Sequence, residues 1–299
     1  MPEAADRYYR PSNTAPISGI FTMLTVGGLA AVVMGPIYAL VSFYDPFVVF
    51  SLFGALSIGA LGGSAVDYGA RVGKVRNRVV VHGVSIVVGL FLVYVSWVAY
   101  IGLLTGSIIL SPQIIWQVIQ IIAQQGVWEF NGEEPLGAEL YVIWVCEAVM
   151  ICGLVIVSGY RKRPPYCEAC GRWSEAMGLE VRVSSECRDE LVQVLETERY
   201  SALMEFRSEI IHDSDYIQLT PYQCPGCDES CFLSGWRVIT EINKQGAWET
   251  RTLDLFKDMI VPREIIDGLT ALPQEVPEDD EGDPSEDGYG SAEPEAVDD

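Results

Sequence analysis

Histidine is nearly missing from this 299-residue chain: His82 and His212 are its two occurrences. Neither stands in a spacing that suggests acid–base catalysis, and no nucleophile–base–acid pattern or glycine-rich phosphate loop occurs. The expectation is a protein that is not an enzyme. Basic residues are scarce as well, with 19 Lys and Arg against 41 Asp and Glu and a net charge of -22. Phosphate binding needs a basic face, so a nucleic-acid partner is not expected. No cleavable leader is expected either. Residues 1–16 are polar, and the apolar run behind them is too long for the core of a signal peptide, so that run is expected to stay as an anchor.

Charge of either sign is absent from long stretches, and these define the first half. Ile17 to Phe43 carries none. A bilayer core takes about 20 apolar residues, so this segment spans, with room for tilt; Gly35-Pro36 is a candidate kink. Phe47 to Val66, Val79 to Thr105 and Leu140 to Val157 are the second, third and fourth spans. In the second, Gly54, Ala55, Gly59 and Gly63 are small, and the last three lie four apart on one stripe, which permits close helix contact.

Basic residues set the orientation. Arg7 and Arg10 precede span one. Arg71, Lys74, Arg76 and Arg78 separate spans two and three. Arg161-Lys162-Arg163 follow span four, while Asp45-Pro46 and the segment from Gly106 to Glu139 hold no cation. Both termini are therefore expected in the cytoplasm of a bacterial inner (plasma) membrane. Within the outer segment, Ser111-Pro112 resembles a helix start, and Gln113, Gln117, Gln120 and Gln124 stripe one face of a helix ending near Gly126. Residues 112–126 are too short and too polar to span, so they predict an amphipathic helix on the outer surface or capping the bundle. Trp128 and Phe130 suit the interface beside acidic Glu129, Glu133 and Glu134.

One carboxylate interrupts the fourth span, Glu147. An ionisable group at that depth faces a bundle interior or water. Counting depth from the outer end gives Ser57, Tyr94 and Ser96 as neighbours and no Lys or Arg, so the carboxyl is expected protonated or hydrogen-bonded to hydroxyls. It serves either as a proton or cation site in a small transporter or membrane enzyme, or as neutral glue between helices. Asp67, four before Arg71, reads as an i,i+4 pair.

Cysteine supplies the chemistry of the second half. Cys167-Glu168-Ala169-Cys170 and Cys224-Pro225-Gly226-Cys227 are two C-x2-C pairs. Each wraps one edge of a tetrahedral metal, and two complete a shell of sulfur alone, with no open position for catalysis. Gly171 and Pro225-Gly226 suit the tight turns. The wide gap between the pairs requires an insertion. A reducing cytosol disfavours structural disulfides, so structural zinc is expected, with a redox or iron site as the alternative. Cys231 is a reserve ligand or an inert thiol; Cys187 reads as inert, and Cys146 and Cys152 read as small hydrophobes in span four.

These turns resemble the paired knuckles of zinc ribbons and rubredoxin-like domains, over two short turns and the hairpin after the second. Asp228 departs from the glycine often found there. The resemblance implies a structural metal and a binding surface, which the acidic balance assigns to protein.

Between the knuckles, Leu179, Val181 and Val183 alternate as a strand. Ser184-Ser185 can cap a helix from Glu186 to about Ile211, breakable at Thr197, with His212 at its end. Tyr216 to Leu219 is a strand. Phe232 to Ile242 and Ala247 to Leu255 form a hairpin around Asn243–Gly246. Val261 to Leu269 is a closing helix with Pro262 at its start. From Pro273 there are twelve acidic and no basic residues, which predicts disorder.

The architecture expected is therefore a cytosolic lead (1–16), a four-helix transmembrane domain (17–163), a cytosolic zinc-ribbon-like α+β domain (164–272) and a disordered acidic tail (273–299). The function expected is a lipid-embedded scaffold or regulator whose zinc domain meets a cytosolic protein partner. The alternatives are a small transporter or proton-coupled protein using Glu147, and a membrane-bound redox protein using the cysteine pairs.

Overall fold

The computed structural model describes residues 7–44, 48–126, 136–178, 181–199, 214–227 and 230–270. The expected acidic tail, the Asp45-Pro46 turn, His212, Asp228, the aromatic and acidic residues 128–134 and the far part of the inserted helix lie outside the described residues.

Four helices are long and apolar enough to cross a membrane: α1 (Ile17–Tyr44), α2 (Val48–Val72), α3 (Arg78–Thr105) and α5 (Ala138–Ser158). A helix pairs its backbone internally, which is what a hydrocarbon surrounding demands, and α1 runs through Pro36 without ending. α1 and α5 each pack on both α2 and α3. Large side chains such as Phe21, Leu29, Leu90 and Val149 point outward, a surface suited to lipid tails. On the inner side the contacts are close. A Cβ on Gly59 would stand 2.9 Å from the Ile151 carbonyl oxygen, and one on Gly63 would stand 2.6 Å from Ser158 Cβ. Only the missing side chains let α2 and α5 approach this far.

Between α3 and α5, α4 (Pro112–Gln125) begins with Pro112 at its first turn, as its sequence predicts. Its Ile115 and Ile119 pack on Ile101, with Trp97, Tyr141 and Trp144 around them, while Gln113, Gln117, Gln120 and Gln124 are exposed. This helix caps one end of the bundle.

At the opposite end sits a small α+β unit. Strands β1 (Tyr166–Cys167) and β2 (Arg172–Trp173) make a two-stranded hairpin. The larger sheet is antiparallel: β3 (Glu175–Ala176) and β4 (Val181–Ser184) both pair with β5 (Asp215–Gln223), which pairs with β6 (Cys231–Ile242), which pairs with β7 (Trp248–Val261). After a short 3-10 turn at Ser185–Cys187 comes α6 (Arg188–Glu196), which stops at Thr197. The closing helix is α7 (Arg263–Thr270). Leu191, Leu195, Ile265 and Ile266 from these helices pack on Ile217, Leu219, Leu233 and Met259 of the sheet to form its core.

The polar lead is a structural part. Tyr8 bridges Met259, the Tyr9 N–H donates to the Asp258 carbonyl at 2.9 Å, and the Ile260 N–H donates to the Arg7 carbonyl at 2.8 Å. Residues 7–9 thus cover the free edge of β7, which would otherwise offer unpaired backbone. Arg7 also donates to the Glu196 carbonyl, and Tyr9 meets the Phe232 ring edge-on.

The joint is held by the basic residues. Arg163 pairs with Asp67 at 3.0 Å, both side chains less than a tenth exposed, and donates to the Val75 carbonyl at 2.7 Å. Asp67 also accepts from Arg71 at 2.9 Å, so the expected i,i+4 pair is present within a larger cluster. Arg78 lies 4.3 Å from the centroid of the Tyr160 ring, and His82 stacks against the same ring.

Candidate metal centre and intramembrane carboxyl

Two hairpin turns bring the four cysteines together. The first turn joins β1 to β2 and carries Cys167 and Cys170; Gly171 after it takes a φ of 64°, a left-handed conformation that favours glycine. The second joins β5 to β6 and carries Cys224 and Cys227. There the Cys224 N–H donates to the Ser230 carbonyl at 3.1 Å, and a Cβ on Gly226 would crowd Cys170 Sγ at 3.3 Å. All four Sγ atoms lie within 4.8 Å of one another, and Cys167 and Cys227 are 3.6 Å apart. Sulfurs on a tetrahedral ion with bonds of about 2.3 Å stand roughly 3.8 Å apart, so this cluster can hold a metal ion.

The turns also supply donors to sulfur. The Cys170 N–H points at Cys167 Sγ and the Gly226 N–H at Cys224 Sγ, each at 3.4 Å. Such donors favour thiolate. Opposing them, hydrogen bonding with Cys227, then burial and the other two sulfurs, pushes the Cys170 thiol up to about 12, and burial pushes Cys224 up. Metal binding by thiols displaces their protons, so metal affinity at this cluster is tied to pH.

Cys231 stands outside the cluster, fully buried in the sheet core, and Cys187 packs at the edge of that core. The inert reading of both therefore agrees with their placement.

The first knuckle rests on the α2–α3 joint. Arg76, its side chain 9% exposed, pairs with Glu168 inside the C-x2-C turn at 3.3 Å and lies 4.0 Å from the centroid of the Tyr166 ring. Trp173 donates its indole N–H to the Arg71 carbonyl at 2.9 Å. In the sequence, Arg76 served only to set orientation; the signal missed there is that Glu168 inside the turn could pair with it.

Glu147 is 9% exposed and faces the bundle interior, as expected. Its partners need correcting. Ser51 donates to Glu147 Oε1 at 2.6 Å, and Tyr38 stands on the wall of the same cavity. Ser57 instead donates to the Phe53 carbonyl at 2.8 Å, and Tyr94 donates to the Leu110 carbonyl beside α4. Ser96 does line the same cavity, although its hydroxyl donates to the Leu92 carbonyl at 2.8 Å. Depth counted from helix ends misplaced α2 against α5. The stripe held the better signal, because Ser51, Ala55, Gly59 and Gly63 are each four apart, and Ser51 extends the face that packs on α5.

The cavity beside Glu147 lies between all four spanning helices. Tyr38, Ser42, Ser51, Ser96, Trp97, Tyr100 and Trp144 are among its lining, which includes no Lys, Arg or His among the described residues.

No family model matches the chain, and no curated protein or solved structure matches it either.

Proposed function

We propose that the chain is a membrane-embedded scaffold whose sheet domain, stiffened by structural zinc, docks a cytosolic protein. The carrying observation is the four-cysteine cluster, a sulfur-only donor set of the kind that structural zinc prefers and that leaves no position for substrate. Ion pairs and the edge contact of residues 7–9 seat that domain on the bundle, so a partner bound there would be held at the membrane. A surface for it is offered by the β6–β7 hairpin, where Ile242 pairs with Trp248 and both are more than half exposed. Exposed aromatics of this kind anchor interfaces. Zinc contributes folding free energy to the knuckles and no bond-making step.

Two measurements test the reading. Elemental analysis of the purified full chain is expected to give one zinc per chain, lost in Cys167→Ser. Iron, or a disulfide that titrates with a redox buffer, would replace the structural reading with the redox one. A photo-crosslinking residue at position 248 of the full chain in its native membrane is expected to give a discrete protein adduct. Adducts to lipid alone, or none, would sink the docking role.

A second reading, solute or proton movement through Glu147, is favoured by the cavity at that carboxyl. Unchanged flux or proton uptake in Glu147→Gln proteoliposomes would rule it out.

A further inference from the structure

We propose that the cavity beside Glu147 binds a small organic monocation, an ammonium head bearing methyl or methylene groups. This inference shares the cavity with the second reading above but does not require transport.

The argument starts from charge. A carboxylate in a low-dielectric interior is costly unless a cation or several donors compensate it. Ser51 donates one hydrogen bond to Glu147, but among the described residues the cavity lining contains no cationic side chain. Ser42 adds a buried hydroxyl oxygen with no hydrogen-bond partner on the same wall. The site therefore has anionic and polar capacity that the protein does not consume.

The rest of the wall selects the kind of cation. Trp97 and Trp144 stand edge to face with centroids 5.1 Å apart, and Trp97 meets Tyr100 in the same manner at 5.9 Å. Aromatic rings attract ammonium groups through their quadrupoles, and a carboxylate beside such rings adds the full charge. Val93, Ala148 and Ile151 complete an apolar surface that alkyl groups would cover. A hard metal ion would require six or more oxygens, which is more than Glu147 and a few donating hydroxyls can offer. A cation would hold the carboxyl ionised against the cost of burial, whereas a neutral solute would make no use of its charge. The room for the centre of a water-sized sphere is about 50 Å³, which suits the compact head of such a cation better than a longer chain.

The experiment titrates purified full-length protein in detergent with choline chloride and follows tryptophan fluorescence, since Trp97 and Trp144 line the site. A saturable change with a midpoint on the order of millimolar is expected. The uncharged isostere 3,3-dimethyl-1-butanol and sodium chloride at equal concentration are expected to give none. Glu147→Gln should raise the midpoint about tenfold or more while gel filtration and circular dichroism match the wild type. Trp144→Leu is the second variant and should raise it about threefold or more. The proposal is overturned if choline gives no saturable signal, if the isostere or sodium reproduces it, or if both folded variants keep wild-type affinity. Choline binding without flux would remove transport and leave the site; absent binding would remove the site whatever the flux.

Discussion

Arg163 shows how much one side chain can join. It reaches Asp67 and the Val75 carbonyl from the far side of the fourth span, both ends of the pair buried. Breaking a buried pair leaves an uncompensated charge, at a cost of about 3 kcal/mol, less what Arg71 recovers by holding Asp67 alone. Arg163→Met is therefore expected to lower the melting temperature and to expose residues 159–165 to protease, with Asp67→Asn restoring part of the loss. Only half of this cluster was legible beforehand. The Asp67–Arg71 spacing is local and readable, whereas Arg163 meets Asp67 only once the domain has docked. Asp258 makes a different point. Burial, the largest influence, lifts its carboxyl above the ordinary range, against opposing effects from Lys257, Ser234 and Lys162. A raised folded value means a penalty that is absent below the unfolded value, grows as pH rises toward the folded value, and is complete above it. Asn keeps the Oδ1 acceptor for Ser234 and tolerates the positive φ of 54°. Asp258→Asn should thus raise the melting temperature by roughly 2 °C at about pH 7 and leave it unchanged near pH 3.

The spans were readable because hydrocarbon permits so little else: an uncharged run of sufficient length becomes a helix. Their lateral registry was not, because the depth of a residue depends on how the helices slide against each other. The stripe on α2 settles that registry. Gly63→Val would drive a branched side chain into Ser158 Cβ and the Val155 carbonyl. The expected cost is about 1–3 kcal/mol, with a shift of Glu147 away from Ser51, measurable as lower thermal stability and altered tryptophan fluorescence. The strands show a second limit. β7 was expected to end at Leu255 and runs to Val261. Alternation breaks where β6 and β7 shift register around Gly235, whose Cβ position lies 2.5 Å from the Phe256 ring, and where Asp258 turns left-handed. Bulges of this kind hide the continuation of a strand from a period-two reading.

As a whole, the molecule has two ends with different chemistries: sulfur held against a basic joint, and a carboxyl among aromatics nearer the α4 cap. The cysteine spacing announced the first with little ambiguity. The second announced its carboxyl but not its company, since the offset of the helices bearing Tyr38 and Ser51 against α5 is not written in either segment. The lead illustrates the same limit, because Arg7–Tyr9 carries no strand pattern strong enough to reveal its pairing with β7. Tyr9→Pro deletes the N–H that donates to Asp258 and should speed amide exchange at Ile260, at a cost of about 1–3 kcal/mol.

That edge contact also dictates an order of assembly. Residues 7–9 leave the ribosome before α1, yet the segment they clasp, around Met259, emerges only after α1 to α5 have been made. The loop that must close runs from Tyr8 to Met259, and closure over such a separation is slow. Insertion into the bilayer therefore precedes completion of the sheet. Until the clasp shuts, the far rim of β7 stands open to whatever extended polypeptide reaches it first.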